Sequence, residues 1–136
     1  MERKIKMFEL TINGRIYQFN FGMGFMKDID PTVTKKIDGV NGKVQNLGLQ
    51  YAIGGIMDGD VITLADVLIR ANKGFEPRLQ PVELERHIED ANTDIDKLFT
   101  EVMGFFENSN VTRKMYLNMK EAVEAEKAKN EQKNNG

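Results

Sequence analysis

The sequence predicts a mainly helical α+β fold: an N-terminal antiparallel β-hairpin packed on a bundle of about five α-helices. Three observations carry that expectation. Asn13-Gly14 is a preferred type I′ turn pair with alternating apolar and polar residues on both sides. From residue 44 onward, apolar residues recur at helical spacing in successive segments. The breaks between those segments fall at Asp58-Gly59-Asp60, at Lys73-Gly74-Phe75-Glu76-Pro77 and at Asn108-Ser109-Asn110, all rich in turn formers.

A two-residue loop places Ile12 opposite Arg15, Leu10 opposite Tyr17 and Phe8 opposite Phe19. One face of the hairpin then carries Phe8, Leu10, Ile12, Tyr17, Phe19 and Phe21. The other carries Met7, Glu9, Thr11, Ile16, Gln18 and Asn20. Turn chemistry and side-chain period fix the same register. A lone hairpin is marginal in water, so its apolar face needs a cover, and the helices are the obvious one. Phe25, Met26 and Ile29 then predict a short helix, stopped by Pro31. Thr32 to Lys43 reads as a loop containing Gly39 and Gly42.

A helix is predicted from Val44 to Met57, with Val44, Leu47, Tyr51 and Gly55 on one face. Gly48, Gly54 and Gly55 each cost helix propensity, roughly 1 kcal/mol relative to Ala, and close packing would explain them. Thr63 is a candidate cap for the next helix, with Leu64, Val67, Leu68 and Ala71 as its buried face. Pro81 suits a first helical position, and Leu84, Ile88 and Ala91 form the stripe behind it. Thr93 opens another helix, with Ile95, Leu98, Phe99, Val102, Met103 and Phe106 apolar. A last helix starts at Val111, with Met115, Leu117, Met119 and Val123 apolar. Residues 1–124 read as a single domain. Residues 125–136 are polar, lack an apolar anchor and read as a disordered tail.

Composition narrows the function classes. The chain has 136 residues, no cysteine and a formal net charge of -2. Disulfides, thiol catalysis and cysteine-ligated metals are excluded. An overall basic footprint for nucleic acid is missing. No apolar run approaches the roughly 18 residues that span a bilayer, and the start, Met1-Glu2-Arg3-Lys4, has no apolar core like a signal peptide. A cytoplasmic protein is the simplest reading.

Catalytic constellations are not found, so no catalytic residue, metal site or cofactor is expected. His87 is the single histidine, and a boundary histidine bonded to a carboxylate or water is the plain account of it. The carboxylates at Asp58, Asp60, Glu83, Glu85, Glu89, Asp90, Asp94 and Asp96 sit at helix starts or on polar faces. Asp58-Gly59-Asp60 lacks the further ligands of a calcium loop. Gly22-Met23-Gly24 lacks the third glycine of a dinucleotide fingerprint, and no Lys-Ser or Lys-Thr pair completes a P-loop.

Three stretches form an ordered set. The first runs from Phe8 through Asn13-Gly14 to Phe21-Gly22-Met23-Gly24-Phe25 and Ile29-Asp30. The second joins Gly48-Leu49-Gln50-Tyr51-Ala52, Gly59-Asp60 and Leu64-Ala65-Asp66-Val67-Leu68. The third joins Ile88-Glu89-Asp90, Asp94-Ile95-Asp96-Lys97-Leu98-Phe99 and Glu101-Val102. Together, over about Lys6 to Leu117, they resemble the tail assembly chaperones of siphophages and prophages of Gram-positive bacteria. The resemblance implies a non-catalytic factor that binds the tape measure protein and keeps it soluble during tail morphogenesis. It also implies a longer form made by programmed frameshifting, whose extension recruits the major tail (tube) protein. The expected place of action is the cytoplasm of the bacterial host, not the mature virion. Homo-oligomers are left open; nucleic acid and membrane are not expected partners. A small helical regulatory or nucleic-acid-binding domain is the alternative, weakened by the lack of a basic helix face.

Met and Phe suit an amphipathic client. Phe105, Phe106, Met115, Tyr116 and Met119, on the last two helices, are therefore the candidate partner-binding residues. Lys129-Asn130 and Lys133-Asn134 mark a candidate frameshift junction, because Lys and Asn codons both begin with two adenines.

Overall fold

A computed structural model describes residues 8–134 except residue 40. Met7, assigned above to the polar face of the hairpin, and Met1-Glu2-Arg3-Lys4 lie outside the described residues, as do Asn135 and Gly136.

Strands β1 (Phe8–Ile12) and β2 (Arg15–Phe19) pair antiparallel, with Phe8 opposite Phe19, Leu10 opposite Tyr17 and Ile12 opposite Arg15. That is the register expected from the turn. Asn13 and Gly14 take φ of 52° and 78°, the positive values that a type I′ loop demands. Phe8, Ile12, Tyr17, Phe19 and Phe21 are buried, while Glu9, Thr11 and Ile16 face out. The chain continues through α1 (Met23–Ile29), a 3-10 turn (Asp30–Thr32) and strands β3 (Thr34–Lys36) and β4 (Val44–Asn46). Five helices follow: α2 (Gly48–Met57), α3 (Val61–Asn72), α4 (Pro81–Glu89), α5 (Ile95–Asn108) and α6 (Arg113–Asn134).

The hairpin lies against α3 and α4. Its second strand is tied to the end of α3 by the Asn20 amide, which donates to the Ala71 carbonyl at 2.9 Å. Asn72, fully buried, completes the join. Its Nδ2 donates to the Gln18 carbonyl at 3.0 Å, and its Oδ1 accepts from the Leu79 amide at 2.7 Å. A buried amide is tolerated because these partners satisfy it. From the buried face of the hairpin, Tyr17 donates to Glu83 of α4 at 2.6 Å. Rings of Phe8, Phe21, Phe25, Phe105 and Phe106 interlock at centroid separations of 4.7 to 6.4 Å, joining the hairpin to α1 and α5.

Four local expectations are corrected. Residues 32–43 are not a plain loop. Gly39 and Gly42 turn the chain, and Lys36 then pairs with Val44 in a second, exposed hairpin. Helix α2 therefore starts at Gly48 instead of Val44. Its buried face is Leu49, Ala52, Ile53 and Ile56, so the predicted Val44/Tyr51 stripe points to solvent. The caps of α3 and α5 are Asp60 and Asp94 in place of Thr63 and Thr93. Asp60 accepts from the Ile62 amide at 3.0 Å, and Asp94 from the Lys97 amide at 3.0 Å. The Thr63 hydroxyl donates to Asp60, and that bond, followed by the one from Ile62, holds the Asp60 carboxyl below the usual range. Finally, α6 continues to Asn134 where a disordered tail was expected. Residues 120–132 are exposed, so packing does not hold them helical. Their Ala, Glu and Lys content does, with Glu124 and Lys127, and Glu126 and Lys129, spaced for helical ion pairing.

An ion-pair node fastens α1 to the end of α3. Asp28 accepts from Arg70 at 2.9 Å and from Lys73 at 2.9 Å. Partial burial pushes its carboxyl up, but the hydrogen bonds from Lys73 and Arg70 outweigh this and hold it below its ordinary value. A lowered folded pKa adds stability above the unfolded value, about 3.9, and loses it as pH falls through the folded value. Asp28→Asn should therefore cost about 1 kcal/mol at neutral pH. In urea titrations the gap from wild type should be flat between about pH 5 and 8 and shrink below about pH 4. A gap that widens on acidification would refute this account.

Candidate partner-binding surface

Among the described residues, no group of three or more His, Asp or Glu side chains is placed to hold a metal ion. No helix among the described residues is long and apolar enough to cross a membrane. His87 is half-buried, and its backbone carbonyl accepts from the Thr93 hydroxyl at 2.6 Å. The carboxylates of Asp60 and Asp94 are occupied as helix caps, Asp28 as an ion-pair node and Glu83 as the acceptor for Tyr17.

Two open grooves meet on one side of the bundle. The first, about 720 Å³, runs between α2, the start of α3 and the 3-10 turn. Gly48, Gly54 and Gly55 of α2 line it, and two of them, Gly48 and Gly55, let neighbouring groups approach closely. A Cβ on Gly48 would collide with the Ile29 carbonyl, and one on Gly55 would lie 2.6 Å from the Thr63 hydroxyl. Tyr51, 61% exposed, lines this groove, and Met119 of α6 borders it. The second groove, about 500 Å³, lies between α3 and α4 over Ala65, Ile69, Leu84 and Ile88.

Ile62 lines both grooves and is 79% exposed. Val61 beside it and Val82 on α4 are also exposed. Single exposed apolar residues are ordinary; here Ile62 lies between two grooves, with Val61 lining the second. The electrostatics are one-sided. Asp58, Asp60 and Asp66 line the first groove, and Asp66, Glu85 and Glu89 the second. Among the described residues, no Lys, Arg or His lines either.

The candidate residues on the last two helices fall in different places. Phe106 and Tyr116 are buried, at 0% and 6% exposure, and pack α5 and α6 against the body. Phe105 packs edge-on to Phe8 at 4.7 Å, and Met115 is partly covered against the same core. Met119 lines the first groove. Ile62, Val61 and Val82 were missed. Their readable signal is position: Ile62 lies two residues, about 200°, from the buried Leu64 and so falls off the α3 stripe.

A family model described as a phage tail assembly chaperone protein matches residues 9–121, a span that takes in the hairpin, both grooves and the packed part of α6. No curated protein and no solved structure matches.

Proposed function

This chain belongs to the phage tail assembly chaperone family, and we propose that it binds the tape measure protein and keeps it soluble while the tail is built. The observation that carries the reading is the exposed apolar ridge at Ile62 with a groove on each side. A chaperone for a long helical client needs an accessible apolar surface and no chemistry. The carboxylates around both grooves would repel a phosphate backbone, so the surface does not suit nucleic acid.

On the same reading the chain works in the cytoplasm of a host infected by a siphophage, without catalysis, and leaves before the virion matures. The five residues named on α5 and α6 reduce, as contacts for the client, to Met119 at the groove edge. A longer form would arise by frameshift at Lys129-Asn130 or Lys133-Asn134 and would recruit the major tail protein. It would carry that segment on helix α6, since those pairs lie in its last turns.

Co-expression tests the central claim. The tape measure protein should be insoluble alone and should co-elute with this chain in size exclusion when both are made. If it stays equally insoluble, the reading fails. The longer form is decided by nucleotide sequence: a slippery run at the Lys-Asn codons with an open overlapping frame is required.

A further inference from the structure

We infer that the groove between α3 and α4 receives an amphipathic helix of the client whose apolar stripe is flanked by Lys and Arg. The inference rests on the chaperone reading and specifies the chemistry of what is held. Helices α3 and α4 have 12 and 9 residues, or roughly 13–18 Å at 1.5 Å per residue. That length fits two to three turns of a docked helix, anchored at i, i+3 or i+4, and i+7. Buried Leu84 and half-buried Ala65 and Ile69 make an apolar floor, and the small Ala65 lets a partner's side chain sink in.

Charge selects the occupant. Asp66 stands on the α3 rim, and Glu85 and Glu89 stand one turn apart on the α4 rim. Asp66 is paired with Arg70 at 3.0 Å, whereas Glu85 and Glu89 make no ion pair among the described residues. Two carboxylates on a rim without a cation call for cationic side chains on the other molecule. A second copy of this chain docked face to face would set these carboxylates against their own counterparts, which disfavours a symmetric dimer here.

The test uses the full chain and two synthetic helical peptides. Both have Leu at i, i+3, i+4 and i+7; one carries Lys and the other Glu at the flanking positions. Fluorescence anisotropy should show the Lys peptide bound at least about tenfold tighter than the Glu peptide. Ile62→Glu should weaken the Lys peptide at least about tenfold. Because that variant adds negative charge, only the lost apolar contact can explain weaker binding. Ile62 is exposed in the first turn of α3, where an acid suits the helix dipole, so the fold should survive. The pair Glu85→Lys and Glu89→Lys should reverse the peptide preference, and Ile16→Glu on the outer hairpin face should change nothing. Equal binding of both peptides, or undiminished binding by Ile62→Glu, overturns the inference. So does self-association of the chain that Ile62→Glu abolishes. The co-expression assay separates the two readings. If wild type and Ile62→Glu both keep the tape measure protein soluble, this groove is wrong and the chaperone reading stands. If the Lys peptide binds as expected but the tape measure protein stays insoluble, the groove stands and the chaperone reading falls.

Discussion

Phe106→Ala is expected to cost about 3–5 kcal/mol, the largest loss of any single truncation on α5. The side chain is fully buried, with its ring 5.4 Å from Phe21 in an edge arrangement and 6.3 Å from Phe25. It therefore joins α5 to the segment that follows the hairpin and to α1. The neighbouring backbone is fixed as well: the buried Thr112 hydroxyl donates to the Phe106 carbonyl at 2.7 Å and sets the turn into α6. A cavity there cannot be closed by one side chain, because three elements with separate anchors surround it. Domains of this size are stable by only about 5–15 kcal/mol, so Tm should fall by roughly 10–20 °C. Met119→Ala, at the groove edge, should cost less than about 1 kcal/mol. Calorimetry on both variants decides the matter. A Phe106→Ala protein that melts within about 3 °C of wild type would put this residue outside the core.

That contrast explains which parts of the molecule could be read from sequence. The first hairpin was legible because its information is local. Asn13-Gly14 dictates the turn, and the period-2 pattern on each side agrees on the buried face. The stripes of α3 and α5 were legible for the same reason, at period 3.6. The start of α2 was not, because its cap is tertiary: the Leu49 amide donates to Asp30 Oδ1, 19 residues earlier. Nor was the β3–β4 hairpin, whose six residues are all exposed and leave no alternating pattern. Asn72 reads as an ordinary helix-end amide, and only the folded chain gives it four partners. The surface was harder still. Residue type points to α5 and α6, but the core consumes Phe106 and Tyr116. Val61, Ile62 and Val82 are exposed on α3 and α4, off the buried stripes of those helices. Residue type names what can bind; position relative to the buried stripe says what is free to.

Gly48→Ala and Gly54→Ala should move stability in opposite directions although both lie in α2. By helix propensity alone each should stabilise, by up to about 1 kcal/mol. At Gly54 that expectation holds, because an added Cβ meets only the end of Met119 at 3.6 Å, an ordinary contact. Gly48 is different. It is buried at the first turn of α2, where the 3-10 turn crosses it. A Cβ there would overlap the Ile29 carbonyl and lie 2.7 Å from both the Asp30 carbonyl and the Thr32 hydroxyl. The first two obstacles are backbone, so no rotamer change relieves them. Either α2 lifts away or the 3-10 turn does, and each motion breaks the cap that Asp30 provides to Leu49. The net cost should be about 3 kcal/mol, the upper part of the overpacking range. The same displacement would shift Ile29, Thr32 and Val33, which form one wall of the first groove. Urea unfolding of the two variants side by side is the measurement. A Gly48→Ala protein as stable as Gly54→Ala would mean that the 3-10 turn does not rest on α2 as described.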